Sequence, residues 1–469
     1  MIRNKAHLIG ICGTGMSALA VLLKEAGWQI TGSDSSPYEP VLGYLQKNKI
    51  PFYKNYKAKN IPKDVRLAII GRHVGLSPKE NAETREAIKR GMKIKSFPEM
   101  LSLISAKTDN LIVVGSYGKS SVTALISWCL KKAKKDPSYF IGAIPVDFKN
   151  SSHLGKGKAF VLEGDEYPSS NWDNTSKFLH LKPSSVLLIS AEHDHANIFP
   201  TEKSYTATYK KLVTKIPKDG FLVYSKDGKN TEEIAKYAKG KSVSYSLNNE
   251  KALWYTKNIK YGGVTSFDLV RRGLKITNIR TRLLGNHNIE NIVGAGALLL
   301  ESKKIKPSDF ARAVYSFHGI MRRLELKNKN ALVPVYEDFG SSYRKAKAGL
   351  DALRLHYPGR RIITVFEPHS FSWRNKKFLK WYKTIFNGAN EVVLLPAPSH
   401  GKKTHNQLTF KEIWSEAKKH ARIHKATTEK EALSILKNIV RKDDIIILIS
   451  SGSLLGLSKS VPRLIERLF

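Results

Sequence analysis

The stretch Val113-Val114-Gly115-Ser116-Tyr117-Gly118-Lys119-Ser120-Ser121 decides the fold of this chain. It follows Asn110–Val114, a continuous apolar run typical of a parallel strand that is buried on both faces. It precedes a stretch from about Ser121 to Lys132 whose pattern predicts a helix. A strand, a glycine turn and a helix in this order favour phosphate binding, because the N–H groups of the turn and the helix N-terminus attract anions.

The residue types of this loop suit a nucleoside triphosphate with its metal ion. Lys119 can reach the β and γ phosphates, and the Ser120 hydroxyl can ligate Mg²⁺. The loop residues that we expect around the phosphates are Gly115, Ser116, Gly118, Lys119, Ser120 and Ser121. The eight-residue P-loop pattern is incomplete, because Val113 stands where its first glycine belongs. An ordinary strand-to-helix turn is the alternative, and the flanking strand and helix favour the phosphate loop.

Acidic and imidazole side chains follow the next two predicted strands. Glu163-Gly164-Asp165-Glu166 comes after Ala159–Leu162, and His193-Asp194-His195 comes after Val186–Ile189. Ligands of open α/β sheets bind at the carboxyl ends of the strands, so both segments should face the phosphate loop. Each alone could be a polar surface loop. Together they predict a Mg²⁺ site made by Ser120, Glu163 and His195.

Short apolar runs that alternate with helical patterns extend on both sides of this unit and predict three consecutive α/β domains. The N-terminal domain is expected to be Rossmann-like, the central one P-loop ATPase-like and the C-terminal one Rossmann-like, over residues 1–106, 107–324 and 325–469. The other predicted strands are His7–Ile11, Trp28–Thr31, Leu67–Ile70, Phe221–Tyr224, Leu332–Tyr336, Arg361–Phe366, Glu391–Leu395 and Asp444–Leu448.

A second glycine loop opens the chain. Gly10, Gly13, Thr14 and Gly15 lie between a predicted strand and a predicted helix, and Asp34 ends the next strand. The glycine order is Gly-x-x-Gly-x-Gly instead of the dinucleotide order Gly-x-Gly-x-x-Gly, which counts against a nicotinamide-dependent oxidoreductase. A nucleotide diphosphate at this helix N-terminus is the favoured interpretation.

Composition limits the class of protein. The 469 residues are enough for several domains, and 79 Lys and Arg against 40 Asp and Glu give a net charge of +39. This charge attracts anions, but the lysines are scattered, so solvated faces are favoured over a nucleic-acid-binding surface. The two cysteines, Cys12 and Cys129, cannot form a disulfide framework and predict a cytoplasmic protein. No apolar run is long enough to span a membrane.

The combined motifs resemble the Mur ligase family, which builds the peptide of peptidoglycan on a UDP-sugar. The opening loop resembles the uridine-nucleotide loop of members that use UDP-N-acetylmuramate, and Gly115–Ser121 resembles Gly-Thr-x-Gly-Lys-Thr-Thr. Leu284–Asn291 resembles Gly-x-His-Asn-x-x-Asn, and Phe317–Glu325 resembles Phe-x-Gly-x-x-x-Arg-x-Glu. The resemblance covers nearly the whole chain.

The resemblance implies an ATP-dependent ligase with ATP and Mg²⁺ as cofactors. It implies that Gly10, Gly13, Thr14, Gly15 and Asp34 bind the UDP-linked substrate. It also implies that Asn288 lies near the adenine, that Arg323 approaches the ATP phosphates and that Asp338 adjoins the ATP site. The residues expected to act in catalysis are Lys119, Glu163, His195 and Arg323.

The amine substrate is less well defined by the resemblance. Phe160–Tyr167 and Ser176–His180 resemble the ligase that reattaches a recycled cell-wall tripeptide more than the L-alanine-adding ligase. The family string Asp-Asp-Tyr/Phe-Ala-His-His-Pro is replaced by Glu337–Tyr343, so two histidines and a proline are missing. The alternatives are therefore L-alanine addition or a degenerate nucleotide-binding member.

Three further residues are implied by the resemblance alone. His369 and Arg374 lie in the segment expected to bind the amine substrate. Lys210 falls near the carbamylated lysine that other members use to hold a second Mg²⁺.

Overall fold

The computed structural model describes residues 4–37, 41–195, 198–328, 332–398 and 406–469. The chain divides into two compact units. The first comprises Met1–Asn258, Phe267–Arg280 and Glu290–Phe317, and the second comprises Ile259–Ser266, Thr281–Ile289 and His318–Phe469.

The N-terminal part contains a parallel sheet of four strands. The strands are β1 Lys5–Ile9, β2 Gln29–Ser33, β3 Leu67–Ile70 and β4 Lys93–Ser96, in the order β2-β1-β3-β4, with helices α1 Thr14–Glu25, α2 Val41–Lys47, α3 Ala82–Lys89 and α4 Phe97–Ile104. The first strand was predicted at His7–Ile11 but ends at Ile9, because Gly10 has φ +82° and begins the turn. Gly10 needs this freedom, since an added Cβ would also lie 2.6 Å from Leu76 Cδ1.

The central sheet has ten strands in the order β14-β13-β12-β11-β10-β9-β5-β8-β6-β7. They are β5 Asp109–Val114, β6 Ser138–Phe140, β7 Ser152–His153, β8 Ala159–Glu163, β9 Ser185–Leu188, β10 Phe221–Ser225, β11 Lys241–Tyr245, β12 Trp254–Lys260, β13 Thr265–Arg271 and β14 Leu274–Thr281. The accompanying helices are α5 Lys119–Lys132, α6 Glu202–Val213, α7 Thr231–Ala235, α8 Asn286–Glu301 and α9 Pro307–Tyr315.

The register of this sheet positions the site. Strand β5 lies between β8 and β9, parallel to both, with Val113 opposite Glu163 and Val114 opposite Leu188. The loops that follow these three strands therefore leave the sheet at one edge. The strands are almost completely buried, as their continuous apolar sequences predict.

The C-terminal sheet has six strands in the order β15-β16-β20-β17-β18-β19, and only the edge pair β15–β16 is antiparallel among the pairs described. They are β15 Glu325–Leu326, β16 Val335–Asp338, β17 Ile362–Phe366, β18 Glu391–Leu394, β19 Ile423–Lys425 and β20 Ile445–Ile449, with helices α10 Tyr343–His356, α11 Phe371–Arg374, α12 Phe410–Ala417, α13 Glu429–Ile439 and α14 Leu457–Leu468. The strand predicted at Leu332–Tyr336 starts only at Val335, because Pro334 has no N–H to donate to a ladder.

Three sheets in series, each with its own helices, confirm the α/β fold class. The domain limits at residues 106 and 324 stay a prediction. In the part of the chain that the structure describes, no helix is both long and apolar enough to cross a membrane.

Candidate active site

The predicted phosphate loop lies between β5 and α5. Gly115 has φ +150° and Gly118 has φ +76°, and a Cβ on Gly118 would lie 3.1 Å from Asn291 Oδ1. Ser116 closes the loop, because its N–H donates to the Ser190 carbonyl at 3.0 Å and its hydroxyl to the Glu192 carbonyl at 2.6 Å. Helix α5 begins with no side-chain cap, so its first N–H groups can receive an anion.

Lys119 is held inside this loop. Its ammonium donates to the Gly115 carbonyl and to Glu166 Oε2, each at 2.7 Å. Burial opposes the charge of Lys119, but the attraction of Glu166, followed by Glu163 and Asp165, outweighs it and raises the pKa of Lys119. Lys119 is therefore a fixed positive charge at the loop.

Ser120 and Glu163 come together as predicted for a metal site. The Ser120 hydroxyl donates to Glu163 Oε1 at 2.9 Å, and the Gly142 N–H donates to Glu163 Oε2 at 2.6 Å. Burial raises the pKa of Glu163, against the lowering effects of Gly142 and Lys119. Hydroxyl and carboxylate oxygens are the hard donors that Mg²⁺ prefers, so this pair fits the ion.

His195 has different partners. Its Nε2 lies 3.2 Å from Glu166 Oε1, and its Nδ1 lies 2.9 Å from the Tyr167 hydroxyl. Among the residues described, no three His, Cys, Asp or Glu side chains are grouped as a metal centre. The structure brings Ser120 and Glu163 together and places the ring nitrogens of His195 beside Glu166 and Tyr167. The three-residue metal set therefore stays a prediction.

Sequence reasoning missed the roles of Glu166, Tyr167 and Gly142. The sequence predicts that Glu163–Glu166 faces the phosphate loop, but it assigns a role in the site to Glu163 alone. Gly142 follows β6 with no motif of its own, and no sequence signal identifies it. For Glu166 the available signal was a second acid three positions after Glu163 in the same loop, close enough to face the same site.

The second predicted loop lies at the start of α1. Asp34 accepts the Cys12 N–H at 2.9 Å and the Ser36 N–H at 3.1 Å, so its carboxylate holds the loop. Gly13 precedes α1 without a side-chain cap. The N-terminus of α1 therefore faces this loop, as the sequence predicts.

One cavity of about 420 Å³ joins the two loops. Its wall includes Gly13, Thr14 and Gly15 from the first loop and Lys119 and Glu163 from the second. Further lining residues are Arg72, Phe97, Asp165, Tyr167, Ser169 and Lys177. The cavity therefore has helix N-termini and cations for an anionic ligand, with apolar surface between them.

Asn288, Arg323 and Asp338 belong to the second unit. The Asn288 amide donates to the Leu284 carbonyl at 2.8 Å, and the Arg323 guanidinium lies 5.3 Å from the centre of the Phe339 ring. Asp338 accepts the Leu324 N–H at 3.2 Å, and burial raises its pKa despite the charge of Arg323. Their assignment to the ATP site stays a prediction.

His369 and Arg374 are adjacent in the C-terminal sheet region. Arg374 is only 3% exposed, and its guanidinium donates to the His369 carbonyl and to Gln407 Oε1, each at 2.9 Å. The His369 ring lies 3.4 Å from the Ser451 hydroxyl. The arginine is thus committed to internal hydrogen bonds, and amine binding by these two residues stays a prediction.

Lys210 lies on α6 and forms an ion pair with Glu233. Its ammonium also lies 4.6 Å from the centre of the Tyr237 ring, and the hydrogen bond to Glu233 raises its pKa. Carbamylation needs the uncharged amine, so this environment opposes the predicted modification.

A glycine loop, a buried lysine and paired acids at one edge of a parallel sheet are typical of α/β enzymes that bind a nucleotide phosphate. Family models described as Mur ligase family, catalytic domain, Mur ligase middle domain, and Mur ligase, glutamate ligase domain match residues 5–108, 113–299 and 322–452. The chain belongs to the Mur ligase family. It is therefore an ATP-dependent ligase of the family that functions in peptidoglycan synthesis.

The relatives differ in the substrates that their names state. The UDP-N-acetylmuramate--L-alanyl-gamma-D-glutamyl-meso-2,6-diaminoheptandioate ligase of Escherichia coli is 31% identical over 84% of this chain and 85% of its own length. The UDP-N-acetylmuramate--L-alanine ligase of Dictyoglomus turgidum is 28% identical over 96% and 94%. The crystal structure of the UDP-N-acetylmuramate-alanine ligase of Thermotoga maritima has the same fold, with a TM-score of 0.77, 20% identity and 99% of each chain covered.

Proposed function

We propose that this ligase joins the carboxylate of UDP-N-acetylmuramate to the amine of a recycled cell-wall tripeptide. The observation that carries the proposal is the shared cavity, whose wall contains Gly13–Gly15 at one helix N-terminus and Lys119 with Glu163 at another. A nucleotide-linked sugar acid held at the first loop would extend toward the phosphate loop. Its carboxylate would then lie beside the γ-phosphate of ATP.

The main physical obstacle is the repulsion between a carboxylate and a triphosphate. In the proposed reaction the carboxylate oxygen attacks the γ-phosphorus, and ADP leaves. The amine then attacks the carbonyl carbon of the acyl phosphate and displaces phosphate. Lys119 stabilises the negative charge that develops during the transfer. It does so from a fixed position, since Gly115 and Glu166 hold its ammonium.

Mg²⁺ fits the oxygen donors of this site and supplies charge neutralisation on the phosphates when bound. Ser120 and Glu163 would hold it.

Two observations favour the tripeptide over L-alanine. The segments Phe160–Tyr167 and Ser176–His180 resemble the recycling ligase, and both contribute to the cavity wall, through Glu163 and Tyr167 and through Lys177 and Phe178. The Escherichia coli relative, whose name states the tripeptide as a substrate, is 31% identical. The alanine ligase of Dictyoglomus turgidum supports L-alanine as the second candidate.

A competition experiment separates the candidates. The protein is incubated with ATP, Mg²⁺, UDP-N-acetylmuramate and equal amounts of L-alanine and the tripeptide, and the products are identified by mass spectrometry. The tripeptide adduct is expected to predominate. The alanine adduct would replace the proposal with the second candidate, and no adduct of either would indicate a degenerate member. A Lys119→Met variant should form neither adduct.

A further inference from the structure

We infer that Glu166 is a positioning residue, whose single carboxylate sets both Lys119 and His195 for phosphoryl transfer. The inference rests on the proposed activation of a carboxylate by ATP, but it does not depend on which amine is used. It assigns different tasks to two acids that lie three residues apart.

The carboxylates of Glu163 and Glu166 have separate sets of partners. Glu163 accepts hydrogen bonds from Ser120 and Gly142. Glu166 is 1% exposed, with one oxygen 2.7 Å from Lys119 Nζ and the other 3.2 Å from His195 Nε2. One acid therefore serves the predicted metal position, while the other links the phosphate loop after β5 to the loop after β9.

The conformation of His195 supports a directed role for this link. Its φ is +56°, a left-handed backbone conformation that residues other than glycine rarely adopt. The Asp194 carboxylate accepts the His195 N–H at 2.7 Å, and the Tyr167 hydroxyl lies 2.9 Å from Nδ1. With the ring held in this way, Nε2 lies 3.2 Å from Glu166 Oε1 and 3.7 Å from Asp194 Oδ2, within ion-pair distance of both carboxylates. Glu166 Oε1 is buried and makes no hydrogen bond, so His195 is the nearest cation that can balance its charge.

The arrangement also limits Lys119. Two of its three N–H groups are directed at Glu166 and the Gly115 carbonyl, so the direction of the third is set. Neutralising Glu166 would loosen Lys119 and His195 together, because each would lose the same buried partner.

The test is a double-mutant cycle of Glu166→Gln, His195→Gln and the double variant. The measurement is phosphate release dependent on ATP and UDP-N-acetylmuramate, with whichever amine the wild type accepts. Glu166→Gln is expected to lower kcat by about 30-fold or more while KM for the UDP-sugar changes by less than about threefold. If Glu166 acts through His195, the double variant should be about as slow as the slower single variant. The inference would be overturned if the losses in kcat of the two single variants multiply in the double variant. It would also be overturned if Glu166→Gln keeps kcat within about twofold of the wild type.

A matched control separates positioning from general stability. Glu83 is fully buried, and its carboxylate also lies 3.2 Å from a histidine nitrogen, Nε2 of His7. Glu83→Gln should reduce the resistance of the fold to urea without changing kcat per folded molecule. If Glu166→Gln behaves in the same way, its role is structural and the inference fails.

An NMR measurement tests the contact between Glu166 and His195 even if the wild type releases no phosphate. The ring resonances of His195 are assigned by their absence from the His195→Gln spectrum of the ¹⁵N-histidine-labelled protein. They should shift in Glu166→Gln and stay unchanged in Glu83→Gln. A His195 ring signal unaffected by Glu166→Gln would refute the link, whereas failure of the ligase assay alone would refute the proposed function.

Discussion

A methyl group added at Gly142 should displace Glu163 without changing any residue of the two predicted loops. An ideal Cβ at position 142 would lie 2.6 Å from Glu163 Oε1 and 2.9 Å from both Cδ and Oε2. Real Cβ atoms do not approach neighbours this closely, so the carboxylate must move by several tenths of an ångström or more. The displacement would also strain the hydrogen bonds of Glu163 to Ser120 and to the Gly142 N–H.

The expected cost differs between activity and stability. Gly142 is exposed and its φ is not in the left-handed region, so Gly142→Ala should change the free energy of unfolding by less than about 1 kcal/mol. A displacement of a catalytic group that approaches about 1 Å can cost about 100-fold in rate. We therefore expect kcat to fall by about 10- to 100-fold and the Mg²⁺ concentration for half-maximal activity to rise.

The assay is phosphate release over a range of Mg²⁺ concentrations, with urea unfolding on the same samples. Gly262→Ala is the control, since its Cβ would meet only the Val264 carbonyl at 3.6 Å, and it should match the wild type. If Gly142→Ala keeps the wild-type rate and Mg²⁺ dependence, the placement of Glu163 is not needed and the reasoning is refuted.

Three further predictions concern other parts of the chain. Burial raises the pKa of Glu290 from about 4.5 to about 7. Above pH 4.5 the unfolded chain therefore loses this proton before the folded chain does, and stability should fall by about 3 kcal/mol as pH rises to 7. The free energy of unfolding of Glu290→Gln, measured with urea at pH 5 and pH 8, should lack this loss. If the variant loses as much stability between pH 5 and pH 8 as the wild type does, Glu290 is not the cause. Gly340→Ala should destabilise the protein by about 2–3 kcal/mol in the same assay, because its Cβ would lie 2.2 Å from Ile449 Cγ2. Gly359→Ala, also at positive φ but with open space around it, should cost only about 1 kcal/mol, and equal costs would rule out the clash. Lys210→Ala should keep kcat within about twofold; a large loss restored by short carboxylic acids would instead support carbamylation.

The fold was largely predictable because its strands carry local signals. Asn110–Val114, Ala159–Leu162 and Val186–Ile189 are apolar runs that each end at a polar loop, and all three became neighbouring parallel strands. The shifted boundaries have local causes too, in the positive φ of Gly10 and in Pro334. Strands β11 to β14 were not predicted, because their alternation of polar and apolar residues is weak in a lysine-rich chain.

The site was predictable only in part. A burial pattern does not indicate that the Arg374 guanidinium turns inward to His369 and Gln407, since an arginine in a basic segment resembles any exposed arginine. The ion pair of Lys210 with Glu233 depends on α6 and α7 lying side by side. Contacts of this kind join residues that are far apart in the chain, and the sequence around either residue has no pattern that predicts them.

The sequence by itself determined where phosphate can bind, because a glycine turn between a strand and a helix exposes N–H groups whatever surrounds it. It also determined that acids and a histidine would lie near Lys119, since parallel strands end at a common edge. Only the tertiary structure decided how the two acids divide their tasks. Glu163 and Glu166 are both carboxylates of one short segment, and they differ in what other elements place against them. Glu163 has Ser120 and Gly142 as partners, whereas Glu166 lies beside Lys119 and His195.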